Sequence, residues 1–291
     1  MLSIDPKSTP QKDMHQYLLA SVAPRPIAFV STIDEDGNDN LAPYSFFNAF
    51  SSNPPIVVFS SNRRSDNNTT KDTLHNIEQN MEAVINVVSH DIVRQMTLTS
   101  IDFDKGVSEF VKGGFTPIPS DIVKPSRVKE SPVQMECKVD QIIPLGTGPG
   151  AGHLIVCNVV KMHIDDRVLD DQNRIDINKI DLMGRMGRAF YVRASGEAVM
   201  PILQPFNQMG IGFDQLPKSI LNSKVLTGNE IAEIASLAEL PSNELVESYW
   251  KENQLIGKFE NIDALHQFAK PNILQKEIAA KILMGVEYGL L

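Results

Sequence analysis

Residues 62–77, NRRSDNNTTKDTLHNI, place two arginines and a run of small hydroxyl and amide side chains before a lysine and a stretch of helical spacing. Such a junction suits phosphate. The first N–H groups of a helix have no intrahelical partner, and the helix dipole adds partial positive charge at that end. Lys71 would add a point charge, Arg63 or Arg64 a forked donor, and Thr73, Ser60 and Ser61 neutral donors. The plain alternative is a surface turn in which Thr70 or Asp72 only caps the helix. Local chemistry leaves both readings open.

Other chemistry-bearing residues give less. PLGTGPGAGH (144–153) lacks both GxGxxG and GxxxxGK spacing, and it joins two strand-like runs where a nucleotide loop would open a helix. It reads as a hairpin loop. The six histidines show no HxxxH or HExxH spacing, so a metal site is not expected. No GxSxG elbow supports hydrolysis. Gly113 and Gly114 read as a loop, and DDRVLDDQNRID (165–176) as a solvated turn region.

To position the junction, the chain offers β structure up to about residue 200. RPIAFVSTI (25–33), PPIVVFSS (54–61) and EAVINVVS (82–89) are runs of strand length, and DEDGND supplies Asp-Gly turn chemistry after the first. Leu74 and Ile77, three apart in KDTLHNIEQN, predict a short helix between the second and third runs. SPVQMECKVDQII (131–143) alternates, with Val133, Met135, Cys137 and Val139 on one face; GHLIVCNVVKMHI (152–164) is the expected return strand. A hairpin centred near residue 147 would set Cys137 opposite Cys157, as two buried thiols rather than a disulfide in a reducing compartment.

From about residue 215 the pattern turns helical. Thr227 and Glu230 form a capping box, Pro241 and Ser242 break and restart a helix, and Pro271 is expected in the first turn of a last amphipathic helix. The stretch 196–214 would connect the two halves. Strands first and helices later predict a mainly β domain, a closed or nearly closed antiparallel barrel, with a helical extension.

Composition narrows the partners. With 42% hydrophobic and 22% charged residues the chain reads as an ordinary globular protein. Its 36 acidic against 27 basic residues argue against nucleic acid or an anionic membrane as the main partner, so an anionic ligand needs a local site. The N-terminal stretch lacks the apolar core of a signal peptide, and no apolar run approaches the ~20 residues that span a bilayer. Cys137 and Cys157 lack CxxC spacing. A cytoplasmic protein is expected.

The junction also stands in a longer pattern. APRPIAFVSTIDEDGNDNLAPYSFFNAFSSNPPIVVFSS (23–61), KDTLHNI (71–77), INVVS (85–89), EF and GG (109–114), ESPVQMEC (130–137) and GRMGRAFYVR (184–193) occur in one order. This resembles the flavin reductase-like family of FMN-binding split-barrel proteins, over roughly residues 15–195. The resemblance implies a Greek-key β-barrel in residues 1–200 that forms a homodimer, with FMN near the subunit interface. The helical extension, 215–291, lies beyond the family pattern. Tyr44, Ser45, Asn48 and Ser51 would face the ring or ribityl chain. Ser60, Ser61, Arg63, Lys71, Asp72 and Thr73 would surround the phosphate. Phe46, Phe47 and Phe50 read as core aromatics sooner than as flavin-stacking groups, and Pro43, Pro54 and Pro55 as shapers of strand starts.

The function so implied is an NAD(P)H-dependent reductase passing electrons to free flavin, a partner monooxygenase or another acceptor. The cofactor would carry the chemistry and the protein would supply position and access. A non-catalytic FMN-binding electron carrier is one alternative. An interaction protein on a barrel that has lost flavin is another.

Overall fold

The β-branched runs pair into one antiparallel sheet. In the computed structural model, which describes residues 1–104, 106–202 and 209–291, its first strands are β1 (Ala28–Ile33), β2 (Asp39–Tyr44), β3 (Phe47–Ser52), β4 (Pro55–Asn62) and β5 (Glu82–Val87). Two short strands, β6 (Pro117–Ile118) and β7 (Arg127–Val128), pair only with each other. The long hairpin β8 (Val133–Pro144) and β9 (Gly152–Ile164) completes the sheet, in the order β2-β1-β5-β8-β9-β4-β3. Strands β2 and β3 therefore lie at opposite ends of that order, yet only Ser45 and Phe46 join them. Three Cα steps reach at most about 11 Å. The two ends must curl towards each other, and the sheet is an antiparallel split barrel.

The barrel interior is apolar. Val30, Ile85, Met135, Val57, Phe59 and Ile155 pack there, and the helix α2 (Asp72–Asn80) adds Leu74 and Ile77. Each such side chain contributes about 1.5–3 kcal/mol on burial. Cys137 and Cys157 are both buried and free. They are not opposite: Cys137 pairs with Val159 and Cys157 with Val139, because the β8–β9 hairpin turns about residue 148 and not 147. Around the barrel lie α1 (Gln11–Ser21), α3 (Val93–Leu98), α4 (Glu109–Gly113) and α5 (Ile177–Ile180), with the β10 (Leu182–Arg185) and β11 (Tyr191–Ala194) hairpin.

These elements belong to a compact unit, Met1–Met200, and Pro201–Leu291 form a second. The connection expected over 196–214 lies partly outside the described residues. The second unit holds α6 (Lys218–Leu221), α7 (Gly228–Ala235), α8 (Asn243–Glu252), α9 (Ile262–Ala269) and α10 (Lys276–Leu283). Thr227 and Glu230 make the capping box of α7, and Ser242 caps α8. The last helix is shorter than expected. Pro271 sits in a separate 3₁₀ turn, and the Gln275 N–H bonds back to the Asn272 carbonyl, so α10 starts only at Lys276. Trp250 is fully buried, its indole N–H donating to the Lys281 carbonyl at 2.9 Å. Gly285 is required beside it: a Cβ there would stand 1.9 Å from the indole ring. No described helix is long and apolar enough to cross a membrane.

Candidate functional site

Strand β4 pairs with β9 as far as Asn62 opposite Gly152, which holds Ser60 and Ser61 in a rigid ladder. Beyond it the loop to α2 leans on the β8–β9 turn. The Arg63 N–H donates to Ala151 O at 2.9 Å, Asn62 Nδ2 to Gly150 O at 3.2 Å and Asn68 Nδ2 to Thr147 O at 3.1 Å. The glycine-rich segment is thus a hairpin loop that braces this region. Gly152 allows the closest approach: a Cβ there would lie 2.5 Å from Ser60 Oγ, which itself bonds Asn62 Oδ1 at 2.9 Å.

The two arginines part company. Arg63 turns into its own loop, Nε donating to Asn68 Oδ1 at 2.8 Å and Nη2 to the Asn68 carbonyl. Arg64 borders a cavity of about 60 Å³ at the start of α2, together with Lys71, Asp72, Thr73 and Tyr44. Across this cavity Arg64 holds Asp102, Nε to Oδ2 at 3.3 Å and Nη2 to Oδ1 at 3.1 Å.

The start of α2 is open. Lys71 is its N-cap residue in extended conformation, and no side chain caps it. Asp72 does not cap, and Thr70 Oγ1 instead meets His75 Nε2 at 2.8 Å. The Lys71 ammonium lies 5.4 Å from the centre of the Tyr44 ring and has no hydrogen bond or ion pair among the described residues. Burial lowers its pKa, Arg64 adds to that, and Asp102 opposes it. Thr73 is buried and accepts from Asn40 Nδ2 at 2.9 Å.

Two hydroxyls at this place lack partners. Tyr44 Oη and Ser61 Oγ are both buried and make no hydrogen bond among the described residues. Burial pushes the Tyr44 phenol up to about 12, against a smaller pull from the nearby Thr73 and Ser61 hydroxyls, so it is a neutral donor at any working pH. An orphaned buried hydroxyl costs about 1–3 kcal/mol. An ammonium, two hydroxyls and the uncapped helix start converge here, a donor set that fits phosphate and polyol oxygens.

The other expected residues lie apart from the cavity. Ser45 Oγ accepts from Arg25 Nε at 3.4 Å, and Arg25 is buried with its remaining donors on the carbonyls of Leu19, Val22 and Met186. Asn48 and Ser51 are exposed on β3, the end strand of the sheet. Phe46 and Phe47 are half-buried, but Phe50 is 69% exposed and is no core aromatic. Sequence reasoning missed Asn40, the segment Thr99–Asp102 after α3, and Glu109, whose carboxylate accepts the Leu41 N–H at 3.2 Å at the cavity edge. Burial raises the Glu109 pKa, against its backbone hydrogen bonds. Glu109 stands in the EF pair of the motif series; nothing in the sequence marked the others.

A second cluster is structural. Asp121, Glu136 and His163 bring possible ligand atoms within 4.8 Å of one another. Glu136 already accepts the N–H groups of Asp121, Ile122 and Val123 and His163 Nε2, at 2.6–3.1 Å, and Asp121 pairs with Lys161. All four acceptor positions of Glu136 are engaged.

A split barrel with a donor-lined cavity at a helix start is the scaffold of a flavoprotein class, and comparison with known proteins agrees. The flavin reductase like domain matches residues 20–178, more than half of the chain, and the chain belongs to that family. An uncharacterized protein of Aquifex aeolicus is 37% identical over 67% of this chain and 97% of its own length. The structure of nitrilotriacetate monooxygenase component B from Bacillus cereus is 30% identical, with a TM-score of 0.64 over 69% of this chain and 98% of that one. The Pseudomonas fluorescens 2-nitrobenzoate 2-nitroreductase is 28% identical, with a TM-score of 0.62 over 70% and 98%. Family and neighbours support a flavin-related oxidoreductase function and a flavin cofactor. The helical unit lies beyond the matched residues.

Proposed function

We propose that this chain is an FMN-dependent reductase that takes electrons from NAD(P)H and passes them to free flavin, a partner monooxygenase or another small acceptor. The observation that carries this reading is the uncapped start of α2, where Lys71 and the buried Tyr44 hydroxyl border one cavity, with the Ser61 hydroxyl close to Tyr44. Lys71 and the first N–H groups of α2, at Asp72 and Thr73, would take the phosphate. Tyr44 and Ser61 would donate to phosphate or ribityl oxygens. Ser60 and Arg63 would act from behind, one through Asn62 and the other through Asn68. Ser45, Asn48 and Ser51 would face the ring.

Bound flavin supplies hydride acceptance and onward electron transfer, and the barrel supplies position and access. On this reading residues 1–200 are the flavin-binding domain and 215–291 an appended helical domain. The outer edge of β3 pairs with no further strand among the described residues. Asn48, Phe50 and Ser51 on that strand would meet a second copy of the chain, making a homodimer. A cytoplasmic setting fits the two free thiols. The monooxygenase component among the neighbours favours a partner oxygenase, and the nitroreductase a small-molecule acceptor.

The visible spectrum of the purified chain, with extraction of any yellow chromophore, tests the cofactor. NADH and NADPH oxidation by the FMN-loaded chain tests the reaction. No turnover with any acceptor would sink the reductase reading; reversible reduction by a protein partner alone would make the chain a carrier. Lys71→Ala is expected to weaken FMN binding by about 1–3 kcal/mol, the scale of a charged hydrogen bond. Unchanged affinity in a fluorescence titration would remove Lys71 from the phosphate site.

A further inference from the structure

The cavity at the start of α2 holds more acids than bases. Arg64 and Lys71 share it with Asp72, Asp102 and Glu109. Asp102 grips Arg64 side-on through Nε and Nη2, the fork that would otherwise meet a phosphate. The other amino group of Arg64 is engaged too, with Thr69 Oγ1 at 3.2 Å and the Thr70 carbonyl at 2.6 Å. Arg64 therefore has almost no donor left to offer. Lys71 is the cavity's cation with free donors among the described residues, and the Asp102 carboxylate acts on it through space. The Asp102 side chain is 68% exposed while that of Arg64 is 21% exposed. The carboxylate reaches in from the rim and can return to water without desolvation.

We propose that Asp102 is an internal counter-anion that competes with the flavin phosphate for Arg64 and weakens the phosphate grip, so that FMN exchanges instead of staying as a fixed prosthetic group. The inference rests on the FMN reading above and deepens it. An arriving phosphate dianion must either displace Asp102 from Arg64 or bind beside a negative charge. Both reduce its affinity, and neither affects riboflavin, which has the same ring and ribityl chain and no phosphate. Asp102 thus sets how strongly the site distinguishes the two flavins. If Asp102 served only to order the segment after α3, its loss would weaken both flavins alike.

The test is titration of the full chain and of Asp102→Asn with FMN and with riboflavin, at low and high salt, with FMN release followed by stopped flow. Asp102→Asn is expected to bind FMN roughly tenfold more tightly at low salt, to release it more slowly and to leave riboflavin unchanged. High salt should shrink the gain, since exposed charges are screened. FMN affinity that is unchanged or weaker in Asp102→Asn, or an equal change for both flavins, overturns the inference. Asp102→Ser, checked by its melting temperature, repeats the measurement should the asparagine variant misfold. If the wild-type chain binds neither flavin, the flavin reading fails and this inference with it. If it binds both and the variants do not differ, this inference fails alone.

Discussion

Tyr44 is the residue whose behaviour separates a binding site from a flaw in packing. Its hydroxyl is buried without a partner and its ring lies under the Lys71 ammonium. Tyr44→Phe is expected to leave the ligand-free chain as stable as before, or more stable by about 1 kcal/mol, because an unsatisfied buried group is removed. The same change should weaken FMN binding. Thermal melts with and without FMN check both halves; a destabilised ligand-free variant would mean that the hydroxyl already has a use. Lys71, Asp72 and Thr73 were legible in the sequence because a helix start needs no distant information. Arg64 against Arg63 was not. The two are neighbours on a loop, and their directions are set by Asp102 and Asn68, the first of them 38 residues away. Asn40 reaches Thr73 across 33 residues and left no local trace.

At the scale of elements, Glu136 is the charged group most deeply built into the sheet. Burial alone would raise its pKa, but the N–H groups of Asp121, Ile122 and Val123 and the His163 ring outweigh it and hold the carboxyl at about 2. The folded value is below the unfolded 4.5, so this stabilisation is complete above about pH 4.5 and is lost as the pH falls towards 2. Glu136→Gln should lower stability at neutral pH and flatten the acid limb of the denaturation profile. A limb as steep as in the wild type would show that other groups carry the acid transition. Strands β1, β4, β5, β8 and β9 were readable from their β-branched runs. Strands β2 and β3 were not: DNLAPY is broken by Pro43, and FNAFSS is a mostly exposed end strand whose pattern reflects no burial. The β8–β9 register, which turns about residue 148 and so offsets Cys137 from Cys157, is likewise not fixed by the alternation, since every residue of the glycine-rich loop could hold the turn.

For the whole molecule, the sequence pattern is strand-like up to about residue 200 and helical from about 215, and the structure has two compact units, Met1–Met200 and Pro201–Leu291. They should respond differently to acid. In the helical unit Ser223 Oγ accepts the N–H groups of Val225 and Leu226, so its own proton goes to His266 Nδ1 at 2.7 Å. Protonation of that nitrogen breaks the arrangement. Burial lowers the His266 pKa against a weaker pull from Asp263. The stabilisation is therefore complete above about pH 6.5 and lost as the pH falls below it, well before Glu136 titrates. Trp250 emission should report this earlier transition, and His266→Asn should shift it. A single acid transition common to Trp250 and to barrel signals would contradict the sequence of events.

Trp250 is the chain's one tryptophan, and it sits in the centre of the helical unit. A flavin in the barrel absorbs in the range where an indole emits. The chain thus carries a single indole donor, in the unit that the family match does not cover. Loss of that emission as flavin is added would therefore report loading of the barrel without any label.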